Sequence, residues 1–209
     1  MTKDSTCYLA GAGEDISFDT ILVRQFGCRV RIIDPTPRAI KHFEALSEAV
    51  AAGRPFSVNG STSEFYHVSP SDLERMSFLP IGLAGLDQEM KFYFPKDPQH
   101  VSCSTANLQR TSEFFTAQCH RLSAIMKQQG DYKIDLLKID IEGAEYEVIR
   151  DITDSGVPPR LLLVEFDEAH SPLDAQASSR IAASVKQLLD AGMHCVAIDG
   201  SNLTFVLDR

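Results

Sequence analysis

The sequence predicts an α/β fold: a mostly parallel sheet of seven strands with helices on both faces. Three observations predict it. Residues 134–149 (IDLLKIDIEGAEYEVI) begin as an apolar, β-branched run and then change to helical spacing, as a buried parallel strand feeding a helix would. Residues 7–52 read as strand, glycine turn, helix, strand, helix, which is a βαβ unit with its following helix. Near the C-terminus, His194–Ile198 and Leu203–Leu207 flank Asp199-Gly200-Ser201-Asn202, a tight-turn signal that makes a closing hairpin with one reversed strand.

Residues 134–149 organise the rest. Ala144, Val148 and Ile152 lie four apart on one helical stripe, and Glu145, Glu147 and Arg150 fall largely outside it. Alternation along the strand puts Lys138, Asp140 and Glu142 on one side and Leu137, Ile139 and Ile141 on the other. In an open α/β sheet the carboxyl ends of the strands face the ligand crevice, so Asp140 and Glu142 are expected at that edge. The favourable positive end of the next helix accounts for Glu142 and Glu145. It does not account for Lys138, because a lysine inside an apolar strand is costly unless paired or put to use.

The βαβ unit carries a second signal. Cys7–Ile16 is a strand running into a glycine turn, Ser17–Phe26 a helix stopped by Gly27, and Arg29–Ile33 a strand ended by Asp34-Pro35. Pro37-Arg38 opens a helix through about Ala52. Gly11 and Gly13 let a ligand approach the backbone, and Asp34 follows Gly13 by 21 residues, where an acid can accept both hydroxyls of an adenosine ribose. The third glycine of a dinucleotide fingerprint is missing, since position 16 is Ile, and Glu14 and Asp15 stand where a pyrophosphate would bind. An adenosine cofactor with a positive centre and no phosphate suits this entrance better. S-adenosylmethionine is such a molecule.

The middle of the chain is less regular. Residues 53–69 are rich in Gly, Ser and Asn and read as a loop with a short strand at Phe65–Val68. Ser69-Pro70-Ser71-Asp72 is a helix-start signature. Phe78–Leu83 reads as the third parallel strand, and Met90–Phe94 as an added, alternating strand whose edge would suit pairing between subunits. Residues 95–110 form a long polar loop, read as a lid bearing His100, Ser102, Ser104 and Asn107. Phe114–His120 is a strand, and Leu122–Gln129 a helix closed by Gly130. Arg160–Asp167 is the next parallel strand, with Glu165, Asp167 and His170 at or beyond the ligand edge, and Ala175–Ala191 is a helix stopped by Gly192.

Composition excludes several classes. The chain has 209 residues, 44% hydrophobic and 23% charged, which suits one domain spanning residues 1–209. A net charge of −9 with no basic block argues against a nucleic-acid partner. Five scattered cysteines without a CxxC argue against a disulfide framework or structural zinc and for reduced thiols in the cytoplasm. The first strand begins too early to leave room for a signal peptide, and no apolar run approaches the roughly 18 residues of a membrane span.

On these residues the chain resembles the FkbM-type methyltransferases, a branch of the Rossmann-like class I enzymes that use S-adenosylmethionine. Ile134–Glu145 is similar to the family signature almost letter for letter. Gly11–Asp19, Asp34–Arg38, Gly82–Gly85, His100–Ser104 and Leu163–Phe166 add support. The resemblance implies a sheet of order 3-2-1-4-5-7-6 and methyl transfer, usually to a hydroxyl oxygen, with S-adenosylhomocysteine as product. It implies that Gly11, Gly13 and Asp15 line the methionine end, that Asp34 takes the ribose, that adenine lies near Gly82 and Leu83, and that Asp140 stands close to the sulfonium. Ser17 and Pro35, in the same matched stretches, are counted with the cofactor-binding positions. The acceptor is expected to be a small molecule or sugar. The chain begins directly at the first strand, so selectivity is expected to rest on residues 53–69 and 95–110, or on a partner.

Removing the acceptor's proton needs help, and Asp140 or Glu142, held by Lys138, or His100 on the lid, are the candidate bases. No metal site is assigned; magnesium on Asp140, Glu165 and Asp167 is the weaker alternative, because spacing does not show that they converge. Two other classes compete with the enzyme reading. One is a catalytically silent S-adenosylmethionine-binding protein or a partner-dependent methyltransferase subunit. The other is a nicotinamide-dependent oxidoreductase, which rests on the βαβ unit alone. Oligomeric state is left open.

Overall fold

A computed structural model describes residues 1–95, 103–105 and 111–208. Its main sheet contains β1 (Thr6–Ala10), β2 (Arg29–Ile33), β3 (Met76–Leu79), β7 (Leu136–Ile139), β8 (Leu161–Glu165), β9 (Met193–Asp199) and β10 (Asn202–Leu207). They lie in the order β3-β2-β1-β7-β8-β10-β9. Counted within this sheet alone, that is the expected 3-2-1-4-5-7-6. Strand β10 runs antiparallel to both neighbours, and the other pairings are parallel.

Alternation along each strand sends side chains into two cores. Cys7 and Leu9 of β1, Val30 and Ile32 of β2 and Leu136 of β7 pack against helices α1 (Ser17–Phe26) and α2 (Pro37–Ala51). Tyr8 and Ala10, Leu137 and Ile139, and Leu162 and Val164 of β8 pack on the other face. There they meet α4 (Leu122–Gln129), α5 (Glu145–Asp154) and α6 (Ala177–Asp190) through Ile125, Val148, Ile149 and Leu188. Burial on both faces is why these strands read as continuous apolar runs.

Two expectations change. The stretch 78–83 is not one strand. Pro80 has no N–H for the ladder, so β3 ends at Leu79, and Ile81 N–H turns back to the Leu79 carbonyl at 2.8 Å. The second half, β4 (Gly82–Leu83), joins β6 (Phe114–His120) and β5 (Gln88–Tyr93) in a separate three-stranded sheet of order β4-β6-β5. Phe92 stacks on Phe115 across that sheet, with ring centroids 5.2 Å apart. The strand expected at Phe65–Val68 reduces to an isolated bridge between Ser57 and Phe65. The helix start at Ser69 holds, with a complete capping box to Asp72 opening the single-turn α3 (Pro70–Leu73).

Candidate active site

The glycine turn after β1 is tied down from both sides. Gly11 N–H donates to the Ile33 carbonyl at 3.0 Å, and Asp140 N–H donates to the Ala10 carbonyl at 3.1 Å. Gly11 has φ +87°, and a Cβ there would lie 1.6 Å from the Asp140 carbonyl oxygen. Only glycine lets the first turn and the end of β7 close this tightly.

Asp34 has partners that its spacing did not disclose. One carboxylate oxygen accepts from the amides of Ala12 and Gly13, at 2.8 and 2.9 Å. The other accepts from Thr36 N–H at 2.8 Å and from the Thr36 hydroxyl at 2.6 Å. Four hydrogen bonds match a carboxylate's capacity. Buried to 4% exposure, Asp34 shapes the glycine turn and holds the start of α2 through Thr36 while also lining the cavity.

At the other wall, Lys138 Nζ lies 2.7 Å from Asp140 Oδ2, with both side chains about one-third exposed (28% and 33%). This partner answers the problem of a lysine in an apolar strand. Glu142 follows with φ +53°, a left-handed conformation that is uncommon for a residue with a Cβ and concentrates at functional turns. Its carbonyl accepts from Ser104 Oγ at 2.7 Å and from Thr105 N–H at 3.2 Å. Ser104 also pairs with Tyr93 through two backbone bonds, so residues 103–105 are pinned between β5 and this turn.

Between the walls lies a cavity of about 310 Å³. Its lining combines the carboxylates of Asp15, Asp34, Asp140 and Glu142 with the apolar side chains of Ile33, Leu83, Phe92 and Pro35. The size falls in the range of small-molecule sites. Carboxylates and apolar side chains in one lining fit a molecule with a cationic group and an aromatic base. The glycine turn supplies the close backbone approach such a molecule needs. No curated protein matches the chain significantly in sequence. The model of the methyltransferase FkbM domain matches residues 10–189.

The chain belongs to the FkbM methyltransferase family. It is thereby an S-adenosylmethionine-dependent methyltransferase, and its sheet is that of the class I Rossmann-like fold. Similar solved structures include a precorrin-6y C5,15-methyltransferase from Geobacter metallireducens GS-15, 9% identical, covering 99% of this chain and 80% of that one at a TM-score of 0.46. The methyltransferase domain of a bacterial CtHen1 is 11% identical, covering 98% and 91% at 0.46. The Methanococcus jannaschii fibrillarin pre-rRNA processing protein is 11% identical, covering 99% and 67% at 0.45.

In this FkbM methyltransferase, Gly11, Gly13, Asp15, Asp34, Pro35, Gly82, Leu83, Lys138, Asp140 and Glu142 all line the one cavity. Ser17 does not; its amide donates to Asp15 Oδ1 at 2.9 Å, behind the lining. His100, Ser102 and Asn107, with most of the expected lid, lie outside the described residues. Asp140, Glu165 and Asp167 each have a separate partner, and no group of three metal-ligating side chains occurs among the described residues. Glu145 is not the solvent-facing helix residue its position outside the stripe suggested. It is 1% exposed, accepts from Gly143 N–H at 2.8 Å, and is held above the usual carboxylate range chiefly by burial. Asp167 beside it is pushed up to about 8 by burial and by its hydrogen bond with Glu145.

The sequence reading missed Asn59, Phe92, Cys103 and Thr105 of the lining. Asn59 Nδ2 donates to Asp15 Oδ2 at 3.1 Å, and Tyr66 OH accepts from Ile16 N–H at 3.1 Å, which anchors the loop 53–69 at the rim. Only the Asn59-Gly60 turn signal hinted at such a role.

Asp19 was also missed. It lies in the first turn of α1, 5% exposed, with Oδ1 unpartnered among the described residues. Burial pushes its carboxyl from 3.8 up to about 7, against the pull of Lys138. The folded chain therefore holds this proton more tightly than the unfolded chain. The stabilisation is complete below the unfolded value of 3.8 and is lost as the pH rises through about 7. Asparagine has no such proton to lose. Asp19→Asn is expected to gain stability over the wild type as the pH rises from about 4 to 7, read from urea melts across that window. A stability gap independent of pH would contradict this.

Proposed function

We propose that the chain methylates a hydroxyl oxygen of an uncharged small molecule or sugar, using S-adenosylmethionine. The observation that carries this reading is the cavity at the carboxyl edge of β1, β2 and β7, which several carboxylates and several apolar side chains line together. The cofactor would supply an activated methyl group on a positively charged sulfur. Asp140, held by Lys138, and Asp15 offer the negative charge that attracts its cationic end. Ile33, Leu83 and Phe92 form the slot for adenine, and Gly11 leaves room for the backbone to close on it. Most of the rate enhancement asked of the protein is positioning of donor and acceptor.

The acceptor side follows from charge. Glu14, Asp15, Asp140 and Glu142 line the cavity, and the chain carries a net charge of −9. A phosphate backbone would meet like charge there, which supports a neutral acceptor over nucleic acid. Among the described residues no helix is long and apolar enough to cross a membrane. The five free cysteines support a reducing, cytoplasmic setting.

Titration calorimetry tests the reading first. S-adenosylmethionine and S-adenosylhomocysteine should bind at micromolar concentration, and NAD should give no heat. Labelled methyl transfer to the small-molecule fraction of a cell extract then separates an enzyme from a silent binding protein. Cofactor binding without any transfer would favour the silent or partner-dependent reading.

A further inference from the structure

Beside the cavity, three side chains meet that the mechanism above does not use. Ser201, in the turn between β9 and β10, is 2% exposed, and its hydroxyl donates to Glu165 Oε1 at 3.1 Å. The same hydroxyl lies 2.5 Å from His170 Nε2, which is itself 3.3 Å from Glu165 Oε1. His170 follows the short 3₁₀ turn Asp167–Ala169, and its side chain is 59% exposed. The cluster is not a nucleophilic triad, because the serine is buried and one imidazole nitrogen serves both partners.

Proton bookkeeping fixes the imidazole. An ionised Glu165 has only acceptors, so Ser201 donates to it and the serine oxygen accepts from Nε2–H. Nδ1 is left as a bare acceptor, with no hydrogen-bond partner among the described residues. A carboxylate and a buried hydroxyl thus hold a half-exposed imidazole in one tautomer, with its basic nitrogen free.

Sheet register places Glu165, which holds this imidazole, beside Asp140 of the cavity wall. Lys138 pairs with Leu163 and Ile139 with Val164, so continuing the register sets Asp140 opposite Glu165. Leu161 and Leu163 pack into the α1–α2 core, so Glu165 projects from the same sheet face as Lys138 and Asp140. One strand spacing, about 4.8 Å, separates the Asp140 and Glu165 backbones, and the Glu165 carboxylate in turn contacts the imidazole. Asp140 itself has an oxygen committed to Lys138. Asp167, the other titratable group of the 3₁₀ turn facing this edge, feels the charges of both Asp140 and Glu165.

We propose that His170 is the general base that takes the acceptor's hydroxyl proton, with Glu165 and Ser201 as its positioning residues. The inference rests on the O-methylation reading. As the acceptor oxygen forms its bond to the methyl carbon, the carbon–sulfur electron pair leaves with sulfur as S-adenosylhomocysteine. The hydroxyl proton passes to His170 Nδ1 and from there to solvent. The acceptor would then lie across the carboxyl ends of β7 and β8, on the far side of Asp140 from the glycine turn.

Two-bond proton–nitrogen spectra of the full chain labelled at its six histidines test the assignment directly. The signals lost in His170→Asn identify the residue. They should report a fixed Nε2–H tautomer in the wild type and a mixture of tautomers in Glu165→Gln. A wild-type Nδ1–H or averaged tautomer would overturn the proposal. Labelled methyl transfer to the small-molecule extract fraction is the second arm. His170→Asn should slow it by roughly 10²- to 10⁴-fold and remove the low-pH limb of its pH–rate profile. S-adenosylhomocysteine affinity should stay within about twofold, since His170 does not line the cavity. Transfer within about threefold of wild type would also overturn the proposal. If the wild-type chain binds cofactor and transfers nothing, the methyl-transfer reading fails, and the spectra still decide the imidazole's geometry.

Discussion

Gly11→Ala is expected to abolish cofactor binding and to lower the melting temperature by roughly 6–12 °C. Two effects add. The added Cβ would sit 1.6 Å from the Asp140 carbonyl oxygen, a backbone atom that no rotamer change can move aside. The residue also holds φ +87°, which costs an L-residue about 1–2 kcal/mol. Overpacking of this kind costs about 1–3 kcal/mol. A total near 3 kcal/mol corresponds to that shift for a domain of this size. Relief must come from moving the glycine turn away from β7, which opens the cavity between them. Gly53→Ala is the control: φ is +63° with nothing within 4 Å of the added carbon, so only the conformational term applies. Thermal melts and calorimetry with S-adenosylhomocysteine check both variants. Equal shifts in the two would refute the close-approach account.

Asp140→Asn is expected to remove most turnover while leaving the fold intact. The substitution keeps the shape and deletes the charge opposite Lys138, 2.7 Å away. A charge-assisted hydrogen bond is worth about 1.5–3 kcal/mol, or roughly 10- to 150-fold in affinity for a cationic partner. S-adenosylmethionine carries the positive sulfur and S-adenosylhomocysteine does not. The variant should therefore lose more affinity for the first than for the second. Equal losses would make Asp140 a structural partner of Lys138 and nothing more. Activity within a few-fold of wild type would refute its place at the cofactor's cationic end.

The two variants also separate the site's two kinds of residue. Gly11 acts by having no side chain, and Asp140 by its charge, yet they touch through one backbone carbonyl. Asp34 belongs with Gly11. Its four hydrogen bonds go to the glycine turn and to Thr36, so it builds the cavity's shape from below.

The sequence by itself determined the local elements and their order. Helix α1 begins at Ser17 and ends at Phe26 as its pattern reads, because periodicity and a glycine stop are properties of neighbouring residues. Local signals also marked the mostly parallel sheet and its closing hairpin, whereas the strand order itself was what the family resemblance implied. The cavity positions Gly11, Gly13, Lys138, Asp140 and Glu142 stood in two such stretches and were legible for the same reason.

Only the tertiary structure decided what lies across from what. That Asp34 turns to amides 21 and 22 residues earlier, that Glu145 is buried beside Asp167, and that Ser201 reaches Glu165 from 36 residues away are contacts between distant segments. Periodicity carries no term for them. The split of residues 78–83 between two sheets belongs here too. Pro80 marked a break, but which sheet each half joined depended on β2 for Leu79 and on β6 for Gly82, partners 46 and 37 residues away. Hydrophobic patterning says which side of a strand is inward. The charged groups at the strand ends receive their partners only when the sheet closes and sets the register between them.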